Sequence, residues 1–362
     1  MKIGITTFHW SNNYGAVWQA HALLSFLKQR GHAAQIIDYR PEAPAAGPRR
    51  WLARSPRGCI EKWGAEYKRY LFERFRARHL TRTQDVFRAP EDLSAVSDRF
   101  DALITGSDQV WNPKWLEQFD GLADVYFLRF AGSRTRRLSY AASFGHATTA
   151  TIETAWRDRL GKLLRGLDAI SVRESSGVTL VRELSQRVDA VDVADPVLLH
   201  RRSYYEQFCV INHSRPPYIL AYMLHGVDAT HHPAVQQAAS MARLPVRVCD
   251  LRHGPWHPNH VLPDPKDWLC MIRDASSVVT NSFHAVVFCL LFHVPFLPVM
   301  MDGPFSGMNA RLIELLKAVG LDSYSQAVVE GTHTEACDWI LVDRRLEGLR
   351  KHAGIFLEQQ GL

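Results

Sequence analysis

KIGITTFHWSNNYGAVWQAHALLSFLKQRGHAAQIIDYRP, Lys2 to Pro41, decides the fold. Its opening, KIGITTF, is short, apolar and β-prone, and a polar loop with Asn12, Asn13 and Gly15 follows. Ala16, Ala20, Leu23, Leu24 and Leu27 then recur at helical spacing, with Gly31 placed to stop the helix. AAQIIDYRP is a second strand, ended by Pro41. Strand, helix and strand around a Gly-containing first turn make a βαβ unit, and a βαβ unit implies a parallel sheet.

The same design recurs outward along the chain. FDALITGSDQVWN and RLSYAASFGH are strands running into polar loops, and LDAISVRESSGVTLVREL carries a strand into Arg173 and Glu174 before a helix. VDAVDVADPVLL closes a first half. A second half repeats the alternation: strand YILAYML, helix HHPAVQQAASMARL, strand PVRVCDL, then helix DPKDWLCMIRDA with Asp264 as N-cap and Pro265 first. SSVVT, SFHAVVFCLLF, VPFLPVM and NARLIELLKAVGL continue it, and RRLEGLRKHAGIFLEQQ ends it as a helix. The fold class is therefore α/β, with an N-terminal domain over 1–195 and a C-terminal domain over 196–362. A basic helical insertion occupies about 41–98 of the first domain.

The bulk numbers agree with this division. A chain of 362 residues, 46% hydrophobic and 22% charged, suits two globular domains and excludes a disordered or fibrous chain. No apolar run reaches the roughly 18 residues of a membrane span. MKIGITTFHW turns polar too soon for a signal peptide. The six cysteines form no C-x-x-C pair, and Cys270 and Cys289 sit in apolar stretches that predict buried thiols and a reduced, cytoplasmic setting. The net charge of +6 is concentrated: Arg49 to Arg82 holds eleven Lys/Arg against three Glu. Within it, Pro, Ala and Arg crowd 41–60, and IEKWGAEYKRYLFERFRARHL reads as an amphipathic helix. That charge predicts peripheral contact with an anionic membrane, or with a diphosphate-linked lipid, through 49–82. No recognition motif supports a nucleic acid.

In open α/β sheets, ligands bind at the carboxyl ends of the strands. Five polar clusters fall there: Asn12, Asn13, Tyr14 and Gly15; Gly106, Ser107, Asp108, Gln109, Trp111 and Asn112; Ser143, Phe144, Gly145 and His146; Arg173 and Glu174; Asn281, Ser282 and His284. Helix capping accounts for any one of them but poorly for the set. In SSVVTNSFHAVVFCLLF, Asn281 or Ser282 is a cap, and His284 lies in the first turn of a buried helix, where the dipole favours an anion. His253, His257 and His260 are separated by Pro and Gly, which reads as a loop rather than a zinc site, so no metal is expected.

Taken in order, NYGAVWQAHALLSFLKQRGHAAQIIDYRP, ITGSDQVWNP, YFLRF, LSYAASFG, ISVRE, DPVLL and VVTNSFHAVVF resemble the polysaccharide pyruvyl transferase family. The resemblance implies two Rossmann-like domains facing across a cleft, as in B-type glycosyltransferases. It also implies phosphoenolpyruvate as donor substrate, with no further cofactor, and a sugar acceptor that receives a pyruvate ketal on two hydroxyls. The acceptor is a polysaccharide or lipid-linked oligosaccharide at the inner membrane face.

By the same resemblance, Arg173 binds the donor anion and His284 is the catalytic acid. Many members carry Arg two residues before that histidine. This chain has Ser282 there, and Arg311 of MNARLIELL supplies the cation instead. Donor binding thus falls to Arg173, Asn281, Ser282, His284 and Arg311, and catalysis to His284, Arg173 and Asp108, with Asp108 or Glu174 as base. Asn13, Tyr14, Gly15, Gln19, Ser107, Asp108, Gln109, Trp111, Asn112, Ser143, Phe144, Gly145 and Glu174 line the acceptor side. The rival readings are a nucleotide-sugar-dependent glycosyltransferase and a non-catalytic carbohydrate-binding relative.

Overall fold

β1 (Lys2–Thr6) sits inside the first sheet because Ile3 and Ile5 are wholly buried. It leads through α1 (Tyr14–Gln29) to β2 (Ala33–Ile36), giving the βαβ unit of the opening stretch. The structure is a computed structural model, and it describes residues 1–41, 56–118, 121–210, 216–249, 259–324 and 337–362. The Pro/Ala/Arg-rich residues 42–55 and two of the three clustered histidines, His253 and His257, lie outside the described residues.

After β2 come α2 (Pro56–His79), β3 (Ala102–Thr105), α3 (Pro113–Leu116), α4 (Leu122–Tyr126) and β4 (Arg136–Ser139). α5 (Thr154–Arg165), β5 (Ser171–Val172), α6 (Ser175–Ser185) and β6 (Val191–Asp192) follow. The first sheet runs β2-β1-β3-β4, all parallel, with Gly4 facing Gln35 on one side and Leu103 on the other. β5 and β6 pair in parallel beside it, and single bridges Leu138–Ala169 and Ala142–Val172 tie them to β4. The strand order reverses between β1 and β3.

The later part contains α7 (Arg202–Glu206), β7 (Ile219–Tyr222), α8 (Pro233–Ala242), β8 (Val246–Val248), α9 (Pro265–Arg273) and β9 (Ser277–Thr280). α10 (Phe283–Phe292), β10 (Phe296–Pro298), α11 (Asn309–Ala318) and α12 (Trp339–Gln359) complete it. Its sheet runs β10-β9-β7-β8, again all parallel, and its order reverses between β7 and β9. The expected cap at Asp264 is in place, accepting from the Asp267 amide with Pro265 first in α9, and Asn13, read in the sequence as a cleft residue, caps α1 by accepting from the Ala16 amide.

The chain divides into two units whose main seam, between His200 and Arg201, lies close to the expected 195/196, while two segments, 48–75 and 348–362, fall with the other unit. The first comprises 1–47, 76–200 and 348–362, and the second 48–75 and 201–347. The end of α12 joins the first unit because Phe356 and Leu357 enter the core formed by Ile3, Ile5, Leu23 and Leu27. Arg136 also donates to the Gln360 carbonyl at 2.7 Å. The start of α2 joins the second unit, where Arg74 pairs with Asp264 at 3.1 Å. Alternating apolar patterns reveal elements, but not which core a long helix enters.

The cysteine expectation also needs correction. Cys270 is not a thiol. It is bonded to Cys209, with Cα atoms 5.3 Å apart across 61 residues of sequence. Cys289 is a buried thiol as expected, and burial pushes its pKa up. Among the described residues, no helix is long and apolar enough to cross a membrane.

Candidate functional site

Each unit gathers its polar side chains where the strand order reverses. That is the position at which parallel sheets leave room for a ligand beyond the strand ends.

In the first unit the loops after β1, β3, β4 and β5 are knitted together. Thr7 Oγ1 donates to the Ser107 carbonyl at 2.9 Å, and Gln19 Nε2 donates to Thr7 Oγ1 at 2.7 Å. Glu174 accepts from Ser143 Oγ (2.7 Å) and from the Phe144 amide (3.1 Å). Asp195 accepts from Ser107 Oγ (3.0 Å), Arg173 Nη1 (3.2 Å) and the Val197 amide (3.0 Å). The Arg173 side chain is only 2% exposed, and its Nε lies 3.8 Å from Glu174 Oε2. Burial opposes its charge, yet Asp195, Glu174 and Asp108 outweigh that and raise its pKa. The expected donor arginine is thus embedded among carboxylates, a partner set that includes Asp195, which the sequence reading did not single out.

Asp108 lies at the less buried edge of this network. Its φ of 77° is left-handed, a strained region for a residue with a Cβ, and it is half-buried. Its carboxylate accepts from the Gln109 amide at 2.9 Å. Asn112 caps α3 and donates to Gln109 Oε1 at 2.7 Å. Gly145, at φ 71°, passes so close that a Cβ there would meet Asn112 Nδ2 at 2.6 Å, so only glycine lets these loops approach.

Other expected acceptor residues are buried or cap a helix. Trp111 and Phe144 are buried in the core, with Trp111 stacked on Phe127 at 4.9 Å and its Nε1 donating to the Tyr126 carbonyl. Tyr14 and Gly15 are buried in α1, and Asn13 is its cap. Aromatic residues beside polar loops read alike in sequence whether they face a ligand or the core.

In the second unit, Ser282 is the N-cap of α10 and accepts from the Ala285 amide at 3.4 Å. Asn281 has another task. Its Oδ1 accepts from the Leu224 amide (2.7 Å) and its Nδ2 donates to the Leu224 carbonyl (3.3 Å), fastening the loop after β7 to the end of β9. Thr280 Oγ1 adds a 2.6 Å bond to the Tyr222 carbonyl across the same reversal. His284 stands in the first turn of α10, 7% exposed and edge-on to Phe283. Arg311, also 7% exposed, lies in the first turn of α11. Asn309 fixes that turn by bonding both the amide and the carbonyl of Met301 at 2.9 Å.

One residue of this rim escaped the sequence reading. His225 follows Leu224 directly, exposed and at φ 55°. Partial burial and then the charge of Arg311 lower its pKa. The available signal was the His-Gly pair directly after an apolar strand, a sixth polar step at a strand end. Among the described residues, no cluster of His, Cys, Asp or Glu is arranged to hold a metal.

Two parallel-sheet units with their polar chemistry at the strand-order reversals define a protein of the α/β, Rossmann-like class. The family model of the polysaccharide pyruvyl transferases matches residues 13–303, most of the chain, and the protein belongs to that family. No curated protein matches the chain. Among solved structures, it is similar to UDP-GlcNAc 2-epimerase from Neisseria meningitidis bound to UDP-GlcNAc, with 10% identity, 99% of each chain covered and a TM-score of 0.48. UDP-N-acetylglucosamine 2-epimerase from Rickettsia bellii gives 9% identity over 99% of this chain and 95% of the other, at a TM-score of 0.49. A glycosyltransferase from Streptomyces sp. SF2575, complexed with thymidine diphosphate, gives 15% identity over all of both chains, at 0.43.

Proposed function

We propose that the protein moves the pyruvyl group of phosphoenolpyruvate onto two hydroxyls of a sugar, forming a ketal and releasing phosphate. Family membership over residues 13–303 carries this reading. The basic rim of the second unit supports it, because the donor bears a phosphate and a carboxylate.

Phosphoenolpyruvate is the phosphate ester of an enol. A proton delivered to its methylene carbon makes the neighbouring carbon electrophilic, a sugar hydroxyl adds there, and the carbon–oxygen bond to phosphate breaks. A second hydroxyl then closes the ketal; of the two hydroxyl protons released through the base, one restores the acid and the other leaves with the phosphate. His284 has the residue chemistry of the proton donor. Arg311 and the N-terminus of α10 suit the two anionic groups. Asp108, half-buried in the loop after β3, suits removal of hydroxyl protons. Arg173 reaches a donor anion only by sharing its guanidinium with Asp195.

Incubation with phosphoenolpyruvate and an acceptor glycan tests this directly. The expected result is release of inorganic phosphate and a gain by the glycan of the mass of pyruvic acid less water. Transfer that requires a nucleotide sugar and leaves phosphoenolpyruvate intact overturns it.

The acceptor is read as lipid-linked, on the strength of α2. Trp63, Tyr67 and Tyr70 are 47%, 38% and 58% exposed, with Trp63 and Tyr67 stacked at 5.2 Å. Amphipathic aromatics among basic residues suit the headgroup layer of an anionic bilayer. Sedimentation with phosphatidylglycerol vesicles should be salt-sensitive and weakened in Trp63→Ala/Tyr70→Ala. Equal binding to neutral vesicles rules the idea out.

A further inference from the structure

His225 is an unusual choice for its place. The Val227 amide donates to the Leu224 carbonyl at 3.4 Å, closing a turn whose two central residues are His225 and Gly226. Their φ angles are 55° and 83°. A turn with two left-handed central positions favours Gly, Asn or Asp. Histidine there adopts a conformation disfavoured for a residue with a Cβ, and it does so exposed, so core packing does not demand it. Such outliers gather at functional sites.

The turn is also held in a fixed position. Asn281 bonds both backbone groups of Leu224, so the residue that fastens the turn is the one preceding Ser282 and two before Phe283 and α10. The loop after β7 and the junction after β9 are neighbours across the strand-order reversal, because β7 and β9 pair in parallel. In the order β10-β9-β7 the loops after all three strands leave the same end of the parallel sheet, and Asn309 ties the first turn of α11, which carries Arg311, to Met301 just after β10. The charge of Arg311 is also among the causes that lower the pKa of His225. An imidazole and a guanidinium are both N–H donors of the kind that bind phosphate, and the turn that carries the imidazole is fastened in place.

We infer that His225 is a second anion-binding side chain of the donor site, working with Arg311 to hold the phosphate group of the donor. The inference rests on the reaction proposed above and adds to it a residue that touches substrate.

The test uses the full chain and the variants His225→Gly and His225→Asn, both suited to left-handed φ, so the turn survives either change. Thermal unfolding should be unchanged or improved in His225→Gly. Binding of inorganic phosphate and of phosphoenolpyruvate, each measured by titration calorimetry, should weaken about tenfold or more in that variant. His225→Asn, which keeps an N–H donor, should recover part of the loss. In turnover assays the loss should appear mainly in KM for phosphoenolpyruvate, with kcat changed much less, a split that a scaffolding role would not produce. Unchanged phosphate affinity in His225→Gly overturns the inference, whether or not phosphoenolpyruvate is turned over. Weakened phosphate binding in a protein that never consumes phosphoenolpyruvate upholds His225 as an anion ligand and sinks the pyruvyl-transfer reading. A wild-type protein that binds neither anion sinks both.

Discussion

The two units solve one topological problem with opposite chemistry. Each has a parallel sheet whose strand order reverses once, and each places its polar groups in the loops beyond the strand ends. In the first unit the loops after β3, β5 and β6 are acidic: Asp108, Glu174 and Asp195 all act on the guanidinium of Arg173. In the second they are basic or neutral: His225, His284 and Arg311, with Asn281 as the fastener. The architecture supplies a position, and the side chains decide what that position can hold. A carboxylate edge is suited to hydroxyls that must lose protons, and an imidazole–guanidinium rim to a small dianion.

The strongest way to break this contrast is to remove its acid and its base separately. His284→Ala and Asp108→Asn should each lower kcat by about 10² to 10⁴, the usual range for a general acid or base. The contrast fails if Asp108→Asn turns over at the wild-type rate, because the acidic loops would then have no chemical part. Measured kcat at saturating phosphoenolpyruvate decides between these outcomes.

Arg173 separates structure from chemistry within the acidic loops. Removing one partner of a buried ion pair leaves the other charge uncompensated, a loss of about 3–5 kcal/mol. Arg173→Met should therefore lower the thermal midpoint strongly by calorimetry. Arg173→Lys keeps the charge but not the planar fork. If that variant is folded and yet shows a raised KM for phosphoenolpyruvate, Arg173 touches the donor as well as its own carboxylates. A folded lysine variant with unchanged KM confines it to holding Asp195 and Glu174.

The first unit should also be the acid-sensitive one. His21 and His200 are buried, and burial lowers both pKa values to about 4. Between pH 6.5 and 4 the unfolded chain binds protons that the folded chain refuses, so stability is present above that window and is lost as pH falls. At pH 5 each histidine should remove on the order of 2 kcal/mol. Thermal melts at pH 7.5 and 5.0, repeated in His21→Gln/His200→Gln, check this. A midpoint equally steep in pH in the double variant would assign the effect to other groups.

Much of this contrast is written in local sequence, and its limits are physical. Asn13, Asp264 and Ser282 cap helices because capping depends on residues within three positions, so the strand–helix alternation was readable. What depends on distant contacts was not. The Cys209–Cys270 bond spans 61 residues, and the Arg173–Asp195 pair depends on the loop after β6 meeting the end of β5. The assignment of α12's end to the first unit depends on Phe356 and Leu357 choosing between two cores. Asn281 reads as a cap in sequence because its actual partner, Leu224, is 57 residues away. His225 was missed for a related reason: a lone histidine in a turn gains meaning only when that turn is brought beside Arg311.

The smallest expected effect sharpens the contrast most finely, at Ser282. Its hydroxyl accepts from the Ala285 amide, and the residue is only 4% exposed, so its first role is to cap α10. Ser282→Ala should cost about 1 kcal/mol of stability and leave the KM for phosphoenolpyruvate nearly unchanged. A KM raised as far as in an Arg311 variant would make Ser282 a donor ligand instead. Ser282→Asp is the complementary change, since aspartate caps as well as serine and favours the positive end of the helix dipole. It should therefore melt at or above the wild-type temperature. Its carboxylate would also stand beside the place proposed for the donor's phosphate, so donor binding should weaken while the fold gains. Stability and affinity moving in opposite directions in one variant would mark the second reversal as an anion site, because a purely structural helix start would move only the first.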